Sequence, residues 1–327
     1  MPTPGSCSFR SRTGRFLGPL FLLLACTLRA EEGVHDWSKT PELFPGIKHV
    51  FLDTKDPRPL KINVIRVDLT RKDLRFLTVR KDPDWGKPMP DFPSLPIRTC
   101  RVTTYQFMRS ALDLGWEMLV AVNATPWGPW KFPYTHRYAA KMGLVISEGE
   151  KIEEADGRPV FLITKKGEFR IRKVAKGEDT SHILLALGGF SMILEGGTVR
   201  NDRTKYLAPR TAYGLSKDRR YMFIMTVDGR MEGFSEGVTT TELGEWIRRC
   251  GAADALNMDG GGSTTLVVSD GKGGIRKLNK SRYYRPVATS LGICRVGKKN
   301  APRPEPRGLC LPSVSSGKNE PFEKIGD

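Results

Sequence analysis

The chain has 327 residues, a hydrophobic share of 39% and a formal net charge of +17. That supplies a core for one large domain or two ordinary ones, and no stretch of the body is low-complexity. The basic balance suits acidic partners such as phosphorylated or acidic glycans. The positive residues are spread out, however, and form no basic helix with interleaved aromatics, which argues against a nucleic-acid binder.

In chain order, Arg10, Arg12 and Arg15 precede the apolar run Phe16–Cys26 and then Leu28-Arg29-Ala30. This pattern predicts a secretory signal peptide over residues 1–30, cleaved after Ala30. The apolar run is too short to cross a bilayer comfortably. Leu23-Leu24-Ala25-Cys26 also resembles a bacterial lipoprotein cleavage box, which makes Cys26 a second-choice lipid anchor. Residues 1–30 hold four arginines and no acid, so the remainder carries +13. Export to the periplasm, outer surface or medium is expected. Cys100, Cys250, Cys294 and Cys310 are then left, in no zinc-like spacing; they make either two disulfides or small buried hydrophobes.

Residues 31–97 read as a Pro-rich arm followed by a hairpin, Ile62–Leu69 with Leu74–Val79. Residues 81–98 hold five prolines and read as a stiff surface excursion. A helix opens at the capping box Thr103–Gln106, with Phe107, Ala111 and Leu114 on one face. A buried strand, Trp116–Val122, runs into the tryptophan-rich loop Asn123–Trp130. Hairpins follow at Val160–Ile171, Ile193–Val199 and Thr211–Val227. A second helix opens at the capping box Thr239–Glu242 and stops at Gly251. The strand ending at Asn257 leads to Asp259-Gly260-Gly261-Gly262-Ser263, and Pro286–Cys294 is the last strand. Residues 297–327 read as a disordered tail. The expected fold is α+β: a mixed, β-rich single domain over 98–296, with two principal helices packed on sheet and its site loops at strand ends.

Three consecutive glycines suit a backbone that must bend sharply or let something come close. Such a turn also aims N–H groups at an anion. Asp259 and Asp228 are the candidate catalytic carboxylates, and Arg210 is the candidate catalytic cation, its planar fork matching phosphate oxygens. A carboxylate can stabilise an oxocarbenium-like carbon or direct water to it. Asn123, Arg230, Asn257, Gly260, Gly261, Gly262 and Ser263 are the candidate substrate-binding residues. The opposing readings are a plain Asp-Gly hairpin turn, an internal ion pair for Arg210 and a helix cap for Glu242. No ligand spacing supports a metal or other cofactor; Asp228 with Asp259 is the one pair that could hold a hard cation.

Ala208-Pro209-Arg210-Thr211-Ala212-Tyr213-Gly214, Val227-Asp228-Gly229-Arg230, Gly237–Leu243, Ala255–Thr264 and Arg285-Pro286-Val287-Ala288 occur in this order. In this arrangement the chain resembles the phosphodiester glycosidase family from roughly Arg98 to Arg295. The resemblance implies a mixed α+β domain that hydrolyses a sugar joined through its anomeric carbon to phosphate; with the export signal and the basic charge, the expected substrate is a phosphorylated or acidic glycan of the envelope or the extracellular space. An ordinary glycosidase and a non-catalytic glycan-binding module are the alternatives. One departure concerns the sugar end: Asn123-Ala124-Thr125-Pro126-Trp127 stands where the family commonly has Asn-Gly-Gly followed by aromatics.

Overall fold

Period-two burial dominates the chain. In a computed structural model, which describes residues 35–131, 134–141, 143–201, 205–281 and 284–297, it produces 21 strands and two α-helices of ten residues each. The largest sheet has eight strands. Its centre runs Ile47–Thr54, Leu60–Asp68, Tyr221–Val227, Arg210–Leu215, Asp254–Asn257, Ser191–Glu195, with neighbours antiparallel throughout.

Successive side chains on these strands point to opposite faces, and the two faces bury different partners. Ile65, Tyr213 and Ile224 share a cluster with Val120 and Val122 of a second sheet and Phe161 and Leu187 of a third. The adjacent residues Val64, Ala212 and Met225 lie in another cluster with Leu243 and Ile247 of helix α2 (Thr240–Arg249). The second sheet centres on Glu117–Asn123, flanked by Leu266–Ser269 and Ser290–Arg295. Phe107 and Met108 of helix α1 (Thr104–Asp113) cluster with its Met118, Ala121 and Val267.

Both helices begin where the sequence predicts them. Thr103 and Thr239 each accept a backbone N–H with the side chain, and Gln106 and Glu242 reach back to the cap N–H, completing two capping boxes. The balance of the fold differs from the expected α+β domain, because it is mostly β. The reason is length: each helix is three turns, whereas the Val- and Ile-rich segments between them all find ladder partners.

Two further expectations change. Leu60–Asp68 and Leu74–Thr78 do not form a hairpin with each other; the first pairs with Tyr221–Val227 in the large sheet and the second with Ser290–Arg295 in the second sheet. The expected arm contains Ile47–Thr54, paired along its whole length with Leu60–Asp68. Local patterning reports that a residue is half-buried but not which strand will cover it. Cys100, Cys250 and Cys294 are buried and form no disulfide among the described residues, with burial raising the Cys250 thiol to about 12. The expected signal peptide (1–30), the Cys26 anchor, Cys310 and the tail beyond Gly297 lie outside the described residues.

Candidate functional site

The strand register decides which chain ends meet. Arg210 opens its strand opposite Val227, and Ala212 faces Asn257 across the next ladder. Asp228, Arg210 and Asp259 therefore emerge from one end of the sheet, although up to 49 positions separate them in sequence. Thr211 O accepts the Met258 N–H and Ala124 O accepts the Asp259 N–H, which steers the chain off the large sheet towards the Asn123 loop. Gly261 N–H then donates to Pro209 O at 2.8 Å, tying the glycine turn to the Pro-Arg segment.

The three glycines face three arginines drawn from separate segments. A Cβ on Gly260 would stand 2.9 Å from Pro209 O and 3.8 Å from Arg210 Cδ. One on Gly261 would meet the Arg230 guanidinium at 3.4 Å, and one on Gly262 the Arg285 guanidinium carbon at 2.6 Å. Gly261 also has φ +60°, a conformation that favours glycine. The run is thus needed less for a hairpin than for close approach. Arg210 donates to Val238 O (3.2 Å) and Tyr206 O (3.0 Å). Arg285 lies over the rings of Trp130 and Tyr134, 5.2 and 5.7 Å from their centres. Neither Arg230 nor Arg285 forms an ion pair among the described residues.

Both candidate carboxylates are buried. Asp259 Oδ1 accepts the Gly260 N–H at 2.9 Å. Trp127 and Ser263 lie beside this carboxyl and, with the Arg285 charge, favour its ionised form; loss of solvent outweighs them and lifts the pKa to about 6. Asp228 Oδ2 accepts the Lys280 N–H at 2.9 Å. Burial likewise lifts it to about 6, against the pull of that amide, Asn279 and the Lys277 charge. Lys277 is driven down to about 8 by burial, opposed by Asp228. Its ammonium donates to Ser281 Oγ at 2.6 Å and lies 4.2 Å from the centre of the Tyr284 ring.

Asn123 is fully buried. Its Nδ2 donates to Asp259 O (2.6 Å), while its Oδ1 accepts from Thr211 Oγ1 and the Thr265 N–H. These bonds make it a brace for the Asp259 turn. Asn257 is also buried, and its carbonyl accepts the Phe190 N–H at 2.8 Å. Buried polar atoms without a hydrogen bond of ordinary geometry gather here: Asp228 Oδ1, Asn257 Oδ1, Asp259 Oδ2, Ser263 Oγ and Trp127 Nε1. Such groups are uncommon in a folded interior, and two of them, Ser263 and Trp127, lie beside the Asp259 carboxyl. Glu242, read as a cap, takes that role and also pairs with Arg58.

Sequence reasoning passed over Arg285 and Lys277 as site residues. Arg285 was within reach, since it opens the Arg285–Ala288 motif; Lys277 ends the short strand Ile275–Lys277 with no local sign of its burial. Among the described residues no group of three or more His, Cys, Asp or Glu side chains is placed to hold a metal ion. No helix among them is long and apolar enough to cross a membrane.

The geometry defines a mostly β domain with a polar, arginine-lined site where its strands end. Residues 120–294 match the family model of the phosphodiester glycosidases, and the chain belongs to that family. Membership points to a hydrolase. Its fold is similar to the catalytic domain of the zebrafish N-acetylglucosamine-1-phosphodiester alpha-N-acetylglucosaminidase, described as auto-inhibited by its pro-peptide: TM-score 0.56, 18% identity, covering 78% of this chain and 85% of that one. It is also similar to a hypothetical protein from Synechocystis: TM-score 0.52, 13% identity, covering 79% of this chain and 64% of that one. Comparison with curated proteins gave no match.

Proposed function

We propose that this protein is an exported hydrolase that cleaves sugar-1-phosphodiesters at the anomeric carbon. The observation that carries the reading is the pairing of two buried, weakly solvated carboxylates with a glycine turn whose three residues each face an arginine. The glycine turn, Ser263, Arg210, Arg230 and Arg285 hold the phosphate. Asp228 and Asp259 act at the sugar, one as nucleophile or base towards the anomeric carbon and the other as its acid-base partner. Water adds to that carbon, the bond from it to the phosphate-linked oxygen breaks, and the products are a free sugar and a phosphomonoester. A phosphomonoester leaves readily once its growing charge is met by fixed cations, so preorganised guanidinium groups are the main requirement. With its basic surface and its sequence-level export signal, the protein fits a phosphorylated glycan of the cell envelope as substrate.

The test is a release assay on matched pairs, each sugar presented as the 1-phosphodiester and as the plain methyl glycoside. Preference for the phosphodiester by at least about 100-fold in kcat/KM is expected, the scale of one lost oxyanion contact or more. Equal rates on both would make the protein an ordinary glycosidase. Binding to both without turnover would make it a non-catalytic glycan-binding module.

A further inference from the structure

Among the described residues seven large hydrophobic side chains are exposed, and four of them belong to the segments that build the site: Trp130, Phe190, Tyr206 and Leu207. Tyr206 is the most exposed of all, at 79%. Each is anchored to the anion cradle or to the strand leading into it. Tyr206 O accepts from Arg210, and Leu207 precedes Ala208, which bridges to Val238, the other acceptor of Arg210. Trp130 stacks on Trp127 with ring centres 4.8 Å apart and lies against Arg285. The Phe190 N–H is held by Asn257 O, two residues before Asp259.

The sheet order sets their spacing. The strand ending at Asn257 lies between Ser191–Glu195 and Arg210–Leu215. Adjacent strands are about 4.8 Å apart, so Phe190 and the Leu207–Arg210 segment flank the exit of Asp259 at a separation of roughly 10 Å.

We propose that this rim receives the alcohol side of the phosphodiester, and that the alcohol is a long aliphatic chain, making the substrate a lipid-linked sugar phosphate. The inference rests on the phosphodiester glycosidase reading of the site given above. With the phosphate on the cradle, the group esterified to it must continue outward past the residues attached to that cradle. Trp130 and Tyr206 each present a ring with one polar atom, while Leu207 and Phe190 offer carbon alone, so the rim as a whole has more apolar surface than hydrogen-bonding groups for a second sugar. Exposed Lys131 and Lys205 adjoin Trp130 and Tyr206. Apolar side chains next to lysines suit the boundary between acyl chains and anionic headgroups.

Two measurements on the full chain separate this inference from the reading beneath it. Calorimetric binding of methyl, butyl and octyl phosphate, all below their micellar concentrations, should tighten by about two- to fourfold per methylene until the rim is filled. The double variant Tyr206→Ser with Leu207→Ser, and Phe190→Ser, change exposed positions and should keep the native circular dichroism while losing most of that chain-length dependence. Equal binding of methyl and octyl phosphate by the wild type, or a dependence undiminished in the variants, overturns the rim. The second measurement is turnover of methyl and octyl esters of one sugar-1-phosphate. A lower KM for the octyl ester in the wild type alone supports the rim, and tighter handling of a sugar-phosphate-sugar diester than of the octyl ester overturns it. Chain-dependent binding with no turnover of any ester leaves the rim standing and removes the glycosidase reading.

Discussion

Arg170, Arg172, Arg219 and Arg220 line a groove of about 660 Å³ beside the turn that joins Arg210–Leu215 to Tyr221–Val227, at the opposite end of that hairpin from Arg210, and it looks at first like the better site. Each of its arginines is matched to an acid: Arg170 to Glu168 and Arg172 to Glu178 at 2.6 Å, Arg219 to Asp254, and Arg220 to Asp68 at 3.5 Å. At the glycine turn the same chemistry is arranged differently. Arg230 stands beside Gly261, Arg285 meets aromatic rings, and Asp228 and Asp259 accept amide N–H groups. Opposite charges that touch on a surface are largely spent on each other and contribute about 0–1 kcal/mol. Two desolvated carboxylates with raised pKa values, beside arginines that stay partly open to solvent, keep their charge available for a substrate. Volume therefore misleads here, and the state of the charges separates the two regions.

The sharpest way to break the comparison is to neutralise the acids. Asp259→Asn and Asp228→Asn should each lower kcat on a sugar-1-phosphodiester by at least about 1,000-fold, with the circular dichroism spectrum unchanged. A well-folded, active variant of either would refute its assignment. Next comes a matched pair of arginine changes. Arg285→Met should lower kcat/KM about 100-fold, and Arg170→Met in the groove by less than about twofold, both measured on the same ester. Comparable losses from the two would erase the distinction between the regions.

A gentler change asks whether the glycines are there for the arginines. Gly262→Ala puts a methyl 2.6 Å from the Arg285 guanidinium carbon without demanding an unusual φ. Kinetics should show about a tenfold loss in kcat/KM, and urea unfolding a loss of about 1–3 kcal/mol or less. Unchanged kinetics would mean that Arg285 is not positioned by this contact.

The last prediction concerns pH and stability. Asp228 and Asp259 have folded pKa values of about 6, above their usual 3.8. The native state therefore binds more protons than the unfolded chain between those values, and stability falls as pH rises through that window. Each group should contribute up to about 3 kcal/mol to that fall. Urea unfolding between pH 4 and 7 should show it, with Asp259→Asn giving a flatter profile and greater stability than the wild type at pH 7. A stability difference between wild type and Asp259→Asn that stays constant from pH 4 to 7 would show Asp259 to be an ordinary solvated acid.

Much of the local structure was legible beforehand. The two capping boxes are written in four residues each, and the hairpins Pro159–Lys173 and Arg210–Val227 follow from alternation around a polar turn. The glycine turn stood out for the same reason: three adjacent residues without side chains are costly unless something needs the space. Failures came where a partner was distant. Nothing near Leu60–Asp68 or Leu74–Thr78 says that the two strands belong to different sheets, and nothing near Lys277 says that it will sit half-buried within the field of Asp228.

Both helix starts, two of the hairpins, the family motifs and the likeness of Asp228, Asp259 and the glycines to a site could be read from the chain alone, because propensity, capping and close-approach glycine act over a few neighbouring residues. What each charge would pack against was settled only when distant strands came together. Antiparallel register brings Arg210, Asp228 and Asp259 to one sheet end, sets Arg285 against Gly262 and makes Asn123 a buried brace. Desolvation and pairing depend on what packs against a group from other parts of the chain, and the strand ladders alone supply that.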